Sequence, residues 1–463
     1  MRLLVRAVPT QPPPSCQRPS REGRGPAKKA RAVTTPTTIP SPWQPGVAYL
    51  QRAASRQVAG VATRWLFYAF MFSLPFDVVV PAWLPEWLQG DLSIPRMIGL
   101  VLLIAFLLDP RLRPWRVPPA IGWFAAYFTV FLLRVGIYAP SWAFQQFQLL
   151  VFFFICYNLF MTSRIIRGAL LSFVASCAAC AGLTLLGTLA NVEMIRSMGD
   201  RVSAFGMNPN LYAKTLIFGA IAALGLAHVR RDKSRLPSLV FWGLAAVLIV
   251  GVADTGSRGM SLGLVVGLAA LVFRKGSLSV RFRGLLLAAV ALLVACWLLS
   301  QSEVLVERWT SVWEKGQMGH RPAIALDALK MSQEKPLLGW GPTATAELGE
   351  RQGMRSVRAT HNRPLALMTT LGALGTLPFY CGYVLVVLWA WRARRGVEDV
   401  LPFAFFMAMS VSDVVSGGLP AKLDWMIFAY MSASGRLAAR ARSYGPVRAE
   451  AANRPPLRRR NAP

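Results

Sequence analysis

The stretch ATHNRPLALMTTLGALG, residues 359–375, sets an imidazole, a carboxamide and a guanidinium (His361, Asn362, Arg363) directly before an apolar run that ends only at Arg392. An imidazole titrates near neutral pH and can take a proton from a hydroxyl. Upstream stand three arginines in otherwise weakly charged surroundings: Arg201 in GDRVSAFGMNPN, Arg258 in DTGSRG and Arg321 in HRPAIALDALK. Guanidinium groups stay charged at any relevant pH and grip phosphate through paired N–H donors. Three of them around one pocket suit a diphosphate. A lone histidine at a helix mouth reads as structural, and the arginines reverse that reading for His361. His228 closes an apolar run and reads as an interface residue, while His320 is a weaker ligand-binding candidate beside Arg321.

The elements that must position these groups are helices in a bilayer. Of 463 residues, 54% are hydrophobic and 16% charged, and the apolar residues fall in long runs. Such runs predict bilayer-crossing helices. About twelve spans are expected, near 61–80, 94–108, 119–138, 145–162, 168–190, 210–228, 237–254, 259–273, 284–300, 364–391, 400–416 and 423–437. The fold class is all-α, a polytopic integral membrane protein. The joints Arg111–Arg116, Arg164–Arg167, Arg230–Arg235, Arg274–Arg283 and Arg392–Arg395 are basic and alternate along the chain. The positive-inside pattern then places both termini in the cytoplasm. The net charge of +30 gathers in the tails and these joints, which argues against nucleic acid as the partner. Membrane lipid is the expected surrounding.

This reading divides the chain into a disordered basic tail (1–58), nine spans (59–300), a long periplasmic loop (301–361), three spans (362–437) and a second basic tail (438–463). The first tail is rich in Pro, Arg, Ser and Thr and lacks core-forming residues. Within the loop, HRPAIALDALKMSQEKP predicts an amphipathic helix on the outer interface, with Pro322 in its first turn and Ile324, Ala325, Ala328 and Leu329 on one face.

The ionisable residues of the spans (Asp77, Arg96, Arg134, Lys214, Asp254, Arg258, Asp413) all map toward outer ends. A transporter places such groups near the midplane, so the expected site is a pocket at the outer surface. The plainer alternative is local ion pairing, Asp254 with Arg258 or Asp200 with Arg201. Cys177 and Cys180 make a C-x-x-C within a helix of small residues, where close packing is the expected role. The chain has no D-x-D, H-E-x-x-H or G-x-x-x-x-G-K-[ST] and no paired outer carboxylates. No metal and no cofactor are expected.

Four blocks in order, RVSAFGMNPNLYA, DTGSRGMSLGL, HRPAIALDALKMSQEKPLLGWGP and HNRPLALMTTLGALG, resemble the O-antigen ligase/polymerase family over roughly residues 200–380. Two ligase spacings recur: arginine followed four positions later by leucine (Arg258, Leu262), and histidine followed eleven positions later by glycine (His361, Gly372). The resemblance implies transfer of a glycan from undecaprenyl diphosphate to an acceptor hydroxyl, lipid A-core or another glycan, at the periplasmic face of a bacterial inner membrane. It implies that Arg258 and Arg321 hold the diphosphate, that His361 is the essential histidine, and that Arg201 is the arginine upstream of N-P-N. Arg363-Pro364 departs from many relatives, which makes Arg363 a candidate contact for an anionic acceptor. Asn362 is expected to cap the helix that follows.

A polymerase of the same family is the alternative. Arg308 and Gly319 show the arginine-to-glycine spacing of eleven found in some polymerases, whereas the histidine motif favours a ligase. A lipid-linked-glycan flippase is the alternative of another class, and it needs a polar path that the apolar spans do not supply.

Overall fold

The structure is a computed structural model that describes residues 59–77, 93–189, 201–205, 207–230, 235–273, 278–315, 321–353, 360–396, 398–415 and 417–452. The expected N-terminal tail lies outside the described residues, as do residues 453–463. Among the described residues every regular element is a helix.

A helix covers each apolar run: α1 (Val61–Ser73), α2 (Ile94–Leu108), α3 (Ile121–Phe131, extended by a π turn to Gly136), α4 (Pro140–Leu159), α5 (Ser163–Leu189), α6 (Pro209–Arg230), α7 (Arg235–Asp254), α8 (Arg258–Ala269) and α9 (Leu278–Ser300). After the long loop come α13 (Arg363–Ala393), α14 (Leu401–Val415) and α15 (Lys422–Ala452). Pro95, Pro140 and Pro364 stand in first turns, where the missing N–H has no intrahelical partner to lose. Among the described residues four helices are long and apolar enough to cross a membrane: Pro140–Leu159, Ser163–Gly187, Pro209–Ala227 and Arg363–Ala393. The chain is a multi-pass membrane protein. Helix α15 continues through Ala452, so the helix of the last expected span runs on into the expected basic tail.

Helix α13 packs against α3 and α15, α8 against α14, and α6 against α7. An aromatic centre joins α3, α4, α13 and α15, with Phe124 lying 4.9 Å from Trp425, 5.6 Å from Phe428 and 5.9 Å from Phe379 by ring centroids. Each such pair adds about 0.5–1.5 kcal/mol beyond area burial. Cys177 and Cys180 are buried free thiols, and a Cβ on Gly219 of α6 would stand 2.9 Å from the Cys177 Cβ. Close helix packing is their role.

The long loop holds three helices where the sequence predicts one: α10 (Glu303–Lys315), α11 (Arg321–Glu334) and α12 (Ala344–Arg351). The buried face of α11 is Ile324, Ala328 and Met331, while Leu329 is exposed. That face is covered by protein, since Leu348 of α12, Trp340 and Leu365 complete a small second core. Arg351 closes it with a two-pronged pair to Glu334 (2.7 Å) and a bond to Glu347 (2.8 Å).

A break in α13 ties this subdomain to the bundle. At Gly372 the backbone has φ 61° and ψ −165°, a region open essentially to glycine alone. The segment after α11 enters the break. Ala373 N–H donates to the Pro336 carbonyl (2.7 Å), Leu374 N–H to Leu337 (3.1 Å), and Trp340 N–H to Thr369 (2.7 Å). Arg134 adds two bonds of 3.0 Å to the Leu338 and Gly339 carbonyls. A Cβ on Gly372 would lie 2.3 Å from the Leu337 backbone. Gly372→Ala therefore costs about 1–3 kcal/mol of strain before the clash is relieved by expelling the segment. Proteolysis of the 335–353 region should become faster in this variant while the helix content of the bundle persists; unchanged protection would show that the segment does not depend on the break.

Candidate functional site

The residues singled out from sequence converge on one end of the bundle, built from the N-termini of α8 and α13 and the C-terminus of α14. Asn362 caps α13 as expected, accepting from the Leu365 N–H at 3.0 Å, and its Nδ2 donates to the Val414 carbonyl at 3.2 Å. Arg321, the first residue of α11, donates to the next carbonyl, Val415, at 2.8 Å. On the other side of α14, Gly259 abuts Val415 so closely that a Cβ would come within 2.5 Å of its side chain. The last turn of α14 thus gathers Arg258, Arg321 and the His361-Asn362 pair, from segments about 40–100 residues apart in sequence. His361 has a left-handed backbone (φ 51°) and is half-buried. A histidine tolerates that conformation better than most residues, and a position of this kind marks a constrained site.

A second set of bonds fixes the arginines. The turn before α8 runs through Thr255, Gly256 and Ser257. Arg201 donates from Nε to the Thr255 carbonyl (2.9 Å) and from Nη2 to Asn210 Oδ1 (3.0 Å), which also accepts from Ser257 Oγ (2.8 Å). Arg258 donates to the Arg308 carbonyl at 2.7 Å, and Arg308 returns a bond to the Gly256 carbonyl at 2.5 Å. None of Arg201, Arg258, Arg308 and Arg321 makes an ion pair among the described residues. The alternative ion pair of Asp254 with Arg258 is absent among the described residues, and Asp200 lies outside them.

Their electrostatics show a common positive field. Burial, then the charges of Arg308, Arg321 and Arg258, push the Arg201 guanidinium down to about 10. Burial lowers Arg308, with further lowering from Arg258 and Arg321, and burial lowers Arg321 together with Arg258. Each remains charged at neutral pH. Desolvated like charges held together in this way repel one another, and a polyanion placed among them relieves the repulsion.

Arg308, whose one sequence signal is its spacing to Gly319, is a further member of the cluster. It lies on α10, fifty residues from Arg258 and joined to it only in three dimensions.

Arg363 is the opposite case. Expected to meet an anionic acceptor, it is 1% exposed and its guanidinium is occupied. It lies 2.8 Å from Asp413 and 2.6 Å from Asp424 and donates to the Gly418 carbonyl at 3.1 Å. Lys214 pairs with the other oxygen of Asp424 at 2.5 Å. Two cations and two carboxylates, from α6, α13, α14 and α15, form a closed buried network. Its charge balances, so removal of any one member leaves an uncompensated buried charge. Arg363 locks the helix that begins at Asn362, and it is withdrawn from acceptor contact. Asn362 is likewise committed at both ends of its side chain.

A cavity of about 730 Å³ reaches Thr360, the neighbour of His361. Its polar lining includes Thr369, Thr345, Gln145 and Gln148, and apolar walls come from α2 and α4. Arg201, Arg258 and Arg321 do not line it. His361 follows Thr360 of the cavity lining in sequence, and that lining also carries Asp77, Arg96 and Lys422.

Comparison with known proteins finds a similarity over part of the chain. The O-antigen ligase family matches residues 243–380, a region that holds Arg258, Arg308, Arg321, His361 and Gly372 and leaves Arg201 outside. No curated protein sequence matches the chain.

Proposed function

We propose that this chain, O-antigen ligase-like over residues 243–380, is a glycosyltransferase that moves a glycan from undecaprenyl diphosphate to an acceptor hydroxyl at the periplasmic face of the inner membrane. Arg258, Arg308, Arg321 and Arg201 hold the diphosphate. His361 removes the acceptor proton as the acceptor oxygen bonds to the anomeric carbon, while the bond from that carbon to the phosphate oxygen breaks and the diphosphate leaves with the electron pair. Fixed positive charge at the leaving group removes the need for a strong general acid. The acceptor enters through the cavity that ends at Thr360, whose hydroxyl and amide groups suit a sugar, either lipid A-core or another glycan.

The observation that carries this reading is the cluster of Arg201, Arg258, Arg308 and Arg321, with no carboxylate paired to them among the described residues and with Arg201, Arg308 and Arg321 lowered by burial and by their cationic neighbours. Its direct test is stabilisation by the anion alone. Inorganic pyrophosphate should raise the melting temperature of the purified protein, with a stabilisation of about 2.7 kcal/mol at a hundredfold excess over its Kd. Arg308→Ala should lose most of this shift. An equal shift in wild type and variant would place the anion elsewhere.

The polymerase reading gains one observation, since Arg308, which begins the polymerase-type spacing, belongs to the cluster. Surface glycans of a deletion strain separate the two activities. Long chains retained on the carrier indicate a ligase, and single repeat units indicate a polymerase. Consumption of lipid-linked glycan by the protein in liposomes without a gradient distinguishes both from a flippase.

A further inference from the structure

Helix α10 carries three chemically distinct sectors. At roughly 100° per residue, Val304, Leu305, Arg308 and Val312 fall on one side, and Leu305 is buried while Arg308 bonds to Gly256. Glu303, Glu307, Thr310 and Glu314 fall on a second side, all exposed. Between them lies a third strip, Val306, Trp309 and Trp313, with 41%, 42% and 90% of their surfaces exposed. A helix docked on protein and facing only water has no use for that strip, and two tryptophans on it are costly in water.

The neighbouring helix tells what covers it. Exposed residues of α9 (Phe282, Leu286, Leu293 and Trp297) recur at helical spacing along one face, as expected of a helix surrounded by acyl chains. That apolar face ends at Trp297, and after the short turn at Gln301-Ser302 the strip on α10 begins. Tryptophan prefers the boundary between acyl chains and headgroups, and a helix with one apolar strip lies along that boundary.

We propose that α10, rather than α11, is the element that rests in the outer lipid surface, with Val306, Trp309 and Trp313 inserted at the acyl–headgroup boundary. The helix thereby fixes the depth of Arg308, and through its bonds to Gly256 and Arg258, the depth of the cationic site. The occupant is phospholipid, and the proposal does not depend on the transferase assignment.

Single cysteines at 303, 306, 307, 309, 310, 313 and 314, in a variant whose six native cysteines are replaced by alanine, test it in phospholipid nanodiscs. A water-soluble maleimide should label 306, 309 and 313 about tenfold more slowly than the other four, a ratio that corresponds to ~1.4 kcal/mol of partition. Uniform rates would show that α10 stands in water. Protection that disappears in nanodiscs holding a single copy would assign the strip to a second copy of the chain. A measurement with the native cysteines in place guards against misfolding: brominated phospholipid should quench the tryptophan emission of wild type more than that of Trp309→Phe/Trp313→Phe. Equal quenching would overturn the proposal.

Discussion

His361→Ala lowers turnover at saturating donor by about 10²–10⁴-fold, the usual contribution of a general base, and leaves binding of the lipid-linked donor in place. The two effects separate because the arginines are fixed by bonds of their own. Arg201, Arg258 and Arg308 are fixed by the turn at 255–257 and by α10, and none of these bonds involves His361. The Asn362 bonds to Leu365 and Val414 keep the mouth of α13 in position after truncation of the imidazole. The measurement is donor affinity and turnover on the same purified variant. If His361→Ala abolishes donor binding while turnover at saturation is normal, His361 is a phosphate ligand and another group is the base.

Arg258→Ala and Arg321→Ala lose donor affinity and turnover together. Charge on the diphosphate exists before reaction and grows as the anomeric bond breaks, so the same guanidinium acts on both states. A charge-assisted hydrogen bond of about 1.5–3 kcal/mol corresponds to a loss of roughly 10–100-fold in affinity, with a further decrease in turnover of about 10²–10³-fold for a preorganised donor to a developing charge. Lysine at either position restores part of the loss, because it keeps the charge and not the planar fork. Melting without ligand provides the structural control. Each arginine bonds to one carbonyl, Arg308 or Val415, and its removal also relieves repulsion within the cluster, so the unliganded stability should change by less than ~2 kcal/mol. A variant with normal donor affinity would remove that arginine from the diphosphate site.

Local signals were legible in the sequence. Apolar runs gave the helices, prolines their first turns, and Asn362 the cap of α13, because each depends on neighbours within one or two helical turns. The candidate arginines and His361 were legible for a different reason: polar groups in an apolar chain are few, and placing them requires a cause. The spacing of His361 to Gly372 was also visible, but its physical basis was not. Gly372 is needed because a segment from beyond α11 enters the helix at that point, an event with no local trace.

Tertiary structure decided the roles. Arg363 stands next to His361-Asn362 in sequence, yet Asp413 and Asp424, fifty or more residues away, hold it in a buried network. Arg308 carried only a weak spacing and joins the cluster through Gly256 and Arg258. Ile324 and Ala328, two of the residues predicted to rest α11 on the membrane, are covered by Leu348, Trp340 and Leu365, while α10 exposes the tryptophan strip. Helix periodicity and capping arise from bonds between near neighbours, so a sequence states them directly. Which charge neutralises which, and which apolar face meets protein or lipid, depends on long-range partners that only the folded chain brings within reach.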